Sequence, residues 1–296
     1  MEIKEVIFRG KKGVQLKTKQ LTAVVLPENG GKVGSLKVNK TGLELYKQVP
    51  GDPEYKELTY DGDYCSADVY AFDDMFPTID PWNNGKRTYA DHGEVVRMPW
   101  KCEVNDKKGT LSMKVRSKFG EYEFSKVFSE TDDGRLAINY TAENLTDENF
   151  PCLWAAHMML EVQKDAVISF NDMEDSTAEI VFSTNDFLGK RGTRYKIHKG
   201  SDLLVNGRPD NVAYKYYVLE ERKNLSYGCF DMEMEGCPYI GVWMNNGDFK
   251  NMKNVAIEVC TGGFDTPGDA KAHGHRIDIG SNSRRQWSIV LGTSED

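Results

Sequence analysis

Short runs in which apolar and polar residues alternate recur along the chain. In residues 110–118, Leu111, Met113 and Val115 fall on one side, and Ser112, Lys114 and Arg116 on the other. In residues 135–141, Leu136, Ile138 and Tyr140 alternate with Ala137 and Asn139. Similar runs occupy 21–27, 95–104, 122–128, 213–219, 225–232, 239–245, 255–259 and 286–291. A period of two sends successive side chains to opposite faces of a strand, one toward a core and one toward water or a second layer. Turn residues separate the runs, as in Asn29-Gly30-Gly31, Asp132-Asp133-Gly134 and Asn246-Gly247-Asp248. No heptad, long helical stripe or fixed-period repeat appears. The pattern predicts an all-β fold, a sandwich or barrel, as one domain over residues 1–296.

Residues 51–87 depart from this pattern. They hold few alternating runs and many aromatic, acidic, Gly and Pro residues. A long irregular segment in a compact domain is usually functional or disordered, and the aromatic content argues against disorder. An ordered cover over one end of the sheets and a binding-site wall are compatible expectations for it.

Composition narrows the partners. Hydrophobic residues at 39% support a globular core, and no apolar run reaches the ~18 residues that would cross a bilayer, so no membrane partner is expected. The formal net charge of −8, without a block of five like charges, speaks against a nucleic-acid partner. The six cysteines lack CxxC spacing, which disfavours a zinc ribbon or a redox pair. The N-terminal residues lack the apolar stretch of a signal peptide, so reduced thiols and a cytoplasmic location are expected. Phosphate loops and the GxSxG elbow are absent, which removes the usual nucleotide-binding and serine-hydrolase readings.

Few residues carry candidate chemistry. His157 lies in the apolar run Trp154-Ala155-Ala156-His157-Met158, as a satisfied core histidine or as a site residue. His92 lies in Asp91-His92-Gly93-Glu94, just before a run read as a strand. Glu258 interrupts an apolar strand before Thr261-Gly262, either facing solvent at the strand end or acting as a tuned acid or base at a sheet rim. His273 and His275 fall in an expected exposed loop, and two ligands without a third make a poor metal site. His198 is expected on the surface.

Four segments, in order, resemble the aldose 1-epimerase (galactose mutarotase-like) superfamily. They are Asp73-Asp74-Met75-Phe76-Pro77-Thr78 with Asp91-His92-Gly93-Glu94; Asn144 to Pro151 with Trp154-Ala155-Ala156-His157; Pro238 to Asn245; and Ile257-Glu258-Val259-Cys260-Thr261-Gly262 with Asp265. The resemblance implies a large antiparallel β-sandwich, the galactose mutarotase-like supersandwich, whose concave face binds a small-molecule sugar. It implies interconversion of α and β anomers by ring opening and closing. Glu258 would take the proton of the C1 hydroxyl, His157 would protonate the ring oxygen, and His92 would stabilise developing charge there. No metal or organic cofactor is implied, and a monomer or homodimer is expected.

The sequence also departs from the better-known galactose mutarotases and resembles a less-characterised branch. Where they place an Asp between the second His and the Glu, residues 211–218 offer Lys215, either a solvated strand lysine or a donor to hydroxyls or to an anionic group. An acidic or phosphorylated sugar therefore stands beside a neutral hexose as a candidate. For the family's sugar-binding arginine, Arg87 is preferred over Arg97. Asp73 and Asp74 either accept from hydroxyls or cap the loop. Trp243, Trp82 and Trp154 either stack on a sugar face or pack in the core. The alternative function is a carbohydrate-binding or sensing protein without turnover. A lyase or hydrolase on the same sandwich is a weaker option.

Overall fold

Strand follows strand for nearly the whole chain. The computed structural model describes residues 1–51, 53–163, 167–170, 175–198, 208–275 and 277–294. Among the described residues one α-helix occurs, Pro267–Ala272, whose N-terminus is capped by Thr266 accepting from the Asp269 amide. No helix among them is long and apolar enough to cross a membrane.

An antiparallel eleven-stranded sheet begins with the hairpins Glu2–Phe8, Lys11–Lys17, Leu21–Leu26 and Lys32–Val38. It continues through Phe72–Met75, Ala155–Glu161, Lys253–Cys260, Tyr239–Asn246 and Val212–Val218 to Asp175–Ser183 and Arg194–His198. An eight-stranded sheet, including Thr110–Arg116, Tyr122–Glu130, Leu136–Asn144 and Arg284–Thr293, packs against it. Rings from both sheets meet in the core: Tyr140 lies 4.6 Å from Trp154, and Phe76 lies 4.8 Å from Tyr122. The architecture is a large antiparallel β-sandwich.

The two sheets differ in burial. In Tyr122–Glu130 buried and half-buried residues alternate, the mark of one wet face. Val212–Val218 and Lys253–Cys260 are buried on both faces almost throughout. The outer face of Lys253–Cys260 lies under the segment before Phe72, where Tyr64 and Val69 pack with Ala256.

Two expected strands are corrected. Residues 95–104 are not one strand: a 3₁₀ turn at Val95–Arg97 precedes the strand Lys101–Asn105. Pro99 has no amide to donate, and the Arg97 guanidinium folds back onto the carbonyls of Gly93, Tyr60, Gly62 and Asp91. Residues 225–232 form a hairpin of Asn224–Tyr227 and Phe230–Glu235. Its two-residue turn leaves the alternation unbroken, so sequence periodicity hides it.

Candidate active site

Strand register assembles the site on the outer face of the large sheet. Asp73 pairs with His157, His157 with Glu258, Glu258 with Gly241, and Gly241 with Tyr217. Directly paired residues share a face, so these side chains form one row across five strands. The next row on the same face runs Met159, Ala256, Trp243, Lys215 and Phe182. Gly241 is required where it stands, because a Cβ there would meet the Tyr217 ring at 2.9–3.3 Å.

Lys215 leans from its own row into the first. Its Nζ stands 2.6 Å from Glu258 Oε2 and 2.6 Å from Asp265 Oδ1. Tyr217 donates its hydroxyl to the same Asp265 oxygen at 2.7 Å. Burial works against the Lys215 charge, but Asp265 and Glu258 outweigh it and raise its pKa above the ordinary lysine range. Burial pushes the Glu258 carboxyl up and the Asp265 charge adds to this; Lys215 opposes them without cancelling the rise. With Oε2 held by Lys215, Oε1 is the oxygen turned to His157, whose Nε2 is 3.9 Å away. That separation is too long for a hydrogen bond.

The second imidazole comes from a turn beside the sheet. His92 has a left-handed backbone, φ 64°, and donates its amide to Ile79 O. Gly93 follows with φ 73°, and a Cβ there would stand 2.4 Å from Phe76 O. The turn thus lies flush against the strand end and points the imidazole inward. The His92 ring stacks on Tyr64 with centroids 3.6 Å apart and meets the His157 ring edge-on at 5.5 Å. Tyr64 donates to Asp73 Oδ2, which also takes Lys32 Nζ at 2.6 Å. His92 Nδ1 stands 2.8 Å from Asp91 Oδ2. Burial alone would raise the Asp91 carboxyl, but the His92 contact and charge hold it below its ordinary value. His157 is buried, and its Nδ1, like that of His92, has no hydrogen-bond partner. Burial first, then the charges of His92, Lys215 and Lys32, hold its pKa well below the usual histidine range.

Glu258, Lys215, Asp265, His157 and His92 line a cavity of about 410 Å³, within the usual size of small-molecule sites. Its walls include Tyr64, Ile79, Asp80 and Phe249, and the Trp243 ring stacked on Phe182 at 5.5 Å. A hydrophobic wall facing polar, titratable groups suits a ligand with both C–H faces and hydroxyls.

Glu258, His157, His92, Lys215 and Trp243 therefore meet in one cavity, whereas Arg87 and Asp74 do not line it. Asp74 points to the opposite face, where it binds Lys126 at 2.7 Å and the Trp154 indole N–H at 2.9 Å. Arg87 pairs with Glu121 at 3.1 Å and lies over the Phe119 ring. Arg97 is engaged by backbone carbonyls, as described above. Trp154 packs in the core, and Trp82 stacks on Tyr89 in a hairpin. His273 and His275 stack on Phe264 and Tyr239, and no group of His, Cys, Asp or Glu among the described residues is arranged to hold a metal. The His198 side chain lies outside the described residues.

Sequence reasoning did not assign site roles to Asp265, Asp91, Tyr64 or Tyr217. Tyr217 had a usable signal, since it lies two residues from Lys215 and must share its strand face. Asp265 sits in a turn, and nothing local announces its contact with Lys215.

No protein-family model and no curated protein matches the sequence. Solved structures match the fold along the whole chain. A galactose mutarotase-like protein from Clostridium acetobutylicum is 16% identical, with 100% of this chain and 99% of that chain covered and a TM-score of 0.68. An aldose epimerase homologue from C. elegans is 13% identical, with 99% of each chain covered and a TM-score of 0.62. The protein has the galactose mutarotase-like fold. At such identities the likeness carries the architecture, and the chemistry rests on the side chains of the cavity.

Proposed function

We propose that the protein is an aldose 1-epimerase that opens and recloses the ring of an uncharged aldose. The observation that carries this reading is a buried carboxylate, Glu258, with one oxygen held by Lys215 and the other turned toward His157, in a cavity that His92 also lines. Ring opening removes the proton of the C1 hydroxyl and delivers one to the ring oxygen. Glu258 takes the first proton as the C1 carbonyl forms. The C1–O5 bond breaks with its electron pair on O5, and an imidazole supplies the proton there. Rotation about C1–C2 and the reverse steps give the other anomer and return both protons. Each such transfer by a positioned group lowers the barrier by a factor of ~10²–10⁴.

Burial raises the pKa of Glu258, which makes it a stronger base than an exposed carboxylate. Lys215 shares its charge between two carboxylates, and Arg191 at the cavity wall is paired with Asp269, which leaves little to attract an anionic substituent. The preferred substrate is therefore a neutral sugar rather than a phosphorylated or acidic one, with Trp243 and Phe182 receiving its C–H face.

Polarimetry on freshly dissolved α-D-glucose and α-D-galactose, with glucose 6-phosphate and glucuronate beside them, tests this. Accelerated relaxation of a neutral sugar is expected. Relaxation at the buffer rate for every sugar contradicts the proposal, and calorimetric binding without acceleration identifies a sugar-binding protein instead.

A further inference from the structure

The irregular segment before Phe72 walls two cavities. One is the candidate active site. The other, of about 560 Å³, shares only Tyr64 with it among the described residues. We propose that this second cavity is a separate binding site for a neutral, hydroxyl-rich molecule the size of a monosaccharide. The proposal does not rest on the epimerase reading.

The volume is within the usual range of small-molecule sites. The walls come from the strand Lys11–Lys17, the turn at 28–30, the start of Lys32–Val38, and the irregular segment from Tyr55 to Asp68. Charge on these walls is balanced. Among the described residues four cations line the cavity: Lys11, Lys12, Lys32 and Arg97. Four carboxylates face them: Glu28, Glu57, Asp68 and Asp73. Lys11 Nζ lies 2.5 Å from Glu57, and Asp68 lies 2.5 Å from Arg9. The Arg97 guanidinium is engaged by backbone carbonyls. Lys12 and Glu28 are exposed and of opposite sign. Such a wall holds no excess of either charge for a phosphate or an ammonium group, but it mixes donors and acceptors. A hydroxyl both donates and accepts, so a neutral polyol matches it.

Asp73 carries the argument furthest. It is 1% exposed, and it lines this cavity but not the catalytic one. Its Oδ2 takes Lys32 Nζ at 2.6 Å and the Tyr64 hydroxyl at 2.8 Å, whereas its Oδ1 is buried without a hydrogen-bond partner. Lys32 is equally enclosed and also donates to Tyr70 O at 2.6 Å. An unpaired buried carboxylate oxygen is costly, and a ligand hydroxyl donating to it removes that cost. Tyr55 lies near Asp73. Burial first, then the charges of Asp73 and Asp68, raise its pKa and keep its hydroxyl a donor. Tyr55, Tyr60 and Tyr64 add ring surface for the C–H face of a sugar.

Amide-resolved NMR of the full chain tests this with two probes. Methyl α-D-glucoside is a locked anomer that cannot be turned over, and inorganic phosphate reports an anion site. The Gly10 and Gly30 amides read the second cavity, and Gly241, between Glu258 and Tyr217, reads the catalytic row. The glucoside is expected to move Gly10 and Gly30 along a saturable curve, and phosphate to leave them in place. Thr59→Trp, at an exposed position of the wall, should fill the cavity and abolish the response. Tyr55→Phe should weaken binding by about 2–10-fold, the worth of one hydrogen bond. Gly10 and Gly30 unmoved by the glucoside would mean a cavity that holds only water, and a larger response to phosphate would mean an anion site; either overturns the proposal. So does an affinity unchanged in both variants. A response at Gly241 alone overturns the second site and leaves the epimerase reading intact, whereas a response at Gly10 and Gly30 alone supports the second site and counts against a sugar in the catalytic cavity.

Discussion

Lys126 and Lys215 are both buried, and each stands within 2.7 Å of a carboxylate, yet the two pairs do different things. Lys126 lies between the sheets with Asp74, and both side chains are 1% exposed. Asp74 also takes the Trp154 indole N–H, Lys126 also donates to Gly31 O, and the ammonium lies over the Trp100 ring. That pair is sealed and its polar atoms are committed. Lys215 and Glu258 face the cavity from the other side of the sheet, and Glu258 keeps Oε1 toward His157. Buried charge alone does not mark a site. An uncommitted oxygen or nitrogen facing a cavity does.

The largest effect separating the two pairs is expected at Asp74. Asp74→Asn leaves the Lys126 charge without its counter-ion, and breaking such a pair costs about 3–5 kcal/mol of stability. Guanidinium unfolding checks this, and kcat of the remaining folded protein should be little changed. Lys215→Met acts oppositely, on chemistry more than on stability. It removes the cation between Glu258 and Asp265, so Glu258 rises further. The acid limb of kcat/KM should move to higher pH, with roughly a tenfold loss at neutral pH that recovers in alkali. A pH–rate profile reads this directly.

Gly241→Ala should come next. The new methyl meets the Tyr217 ring, and overpacking of this kind costs about 1–3 kcal/mol. Moving that ring disturbs the Tyr217–Asp265 contact, so activity should fall together with the denaturation midpoint. The smallest effect concerns His157. Its folded pKa is depressed, so below about 6.5 the unfolded chain takes up a proton that the folded chain refuses. Its contribution is intact above that pH and is lost as pH falls through the folded value. His157→Gln should therefore flatten the acid side of the stability–pH curve, measured by urea midpoints between pH 7.5 and 5.

Legibility in the sequence followed the same contrast. Strands with one wet face, such as Thr110–Arg116 and Tyr122–Glu130, announce themselves by alternation. The central strands do not: Ala155–Glu161 is buried on both faces at six of its seven positions, so no period of two survives. Glu258 and His157 stand out because each interrupts an apolar run. Asp73 and Asp74 are adjacent, and only the pairing of Asp73 with His157 reveals which of them shares the site face. Arg87 sits in a loop before His92, but its commitment to Glu121 spans 34 residues and leaves no local trace. Asp265 reaches the site through a contact across 50 residues of sequence, which is equally invisible to pattern.

Exchange NMR on an equilibrated neutral aldose tests the central claim most directly, because it sees anomer interconversion without a freshly dissolved sample. With the unmodified protein at catalytic concentration, cross-peaks between the α and β C1 protons should grow far above those in buffer. With Glu258→Gln of unchanged fold, they should fall back by a factor of ~10²–10⁴. Cross-peaks of equal intensity in the two proteins would contradict the assignment of Glu258 as the base.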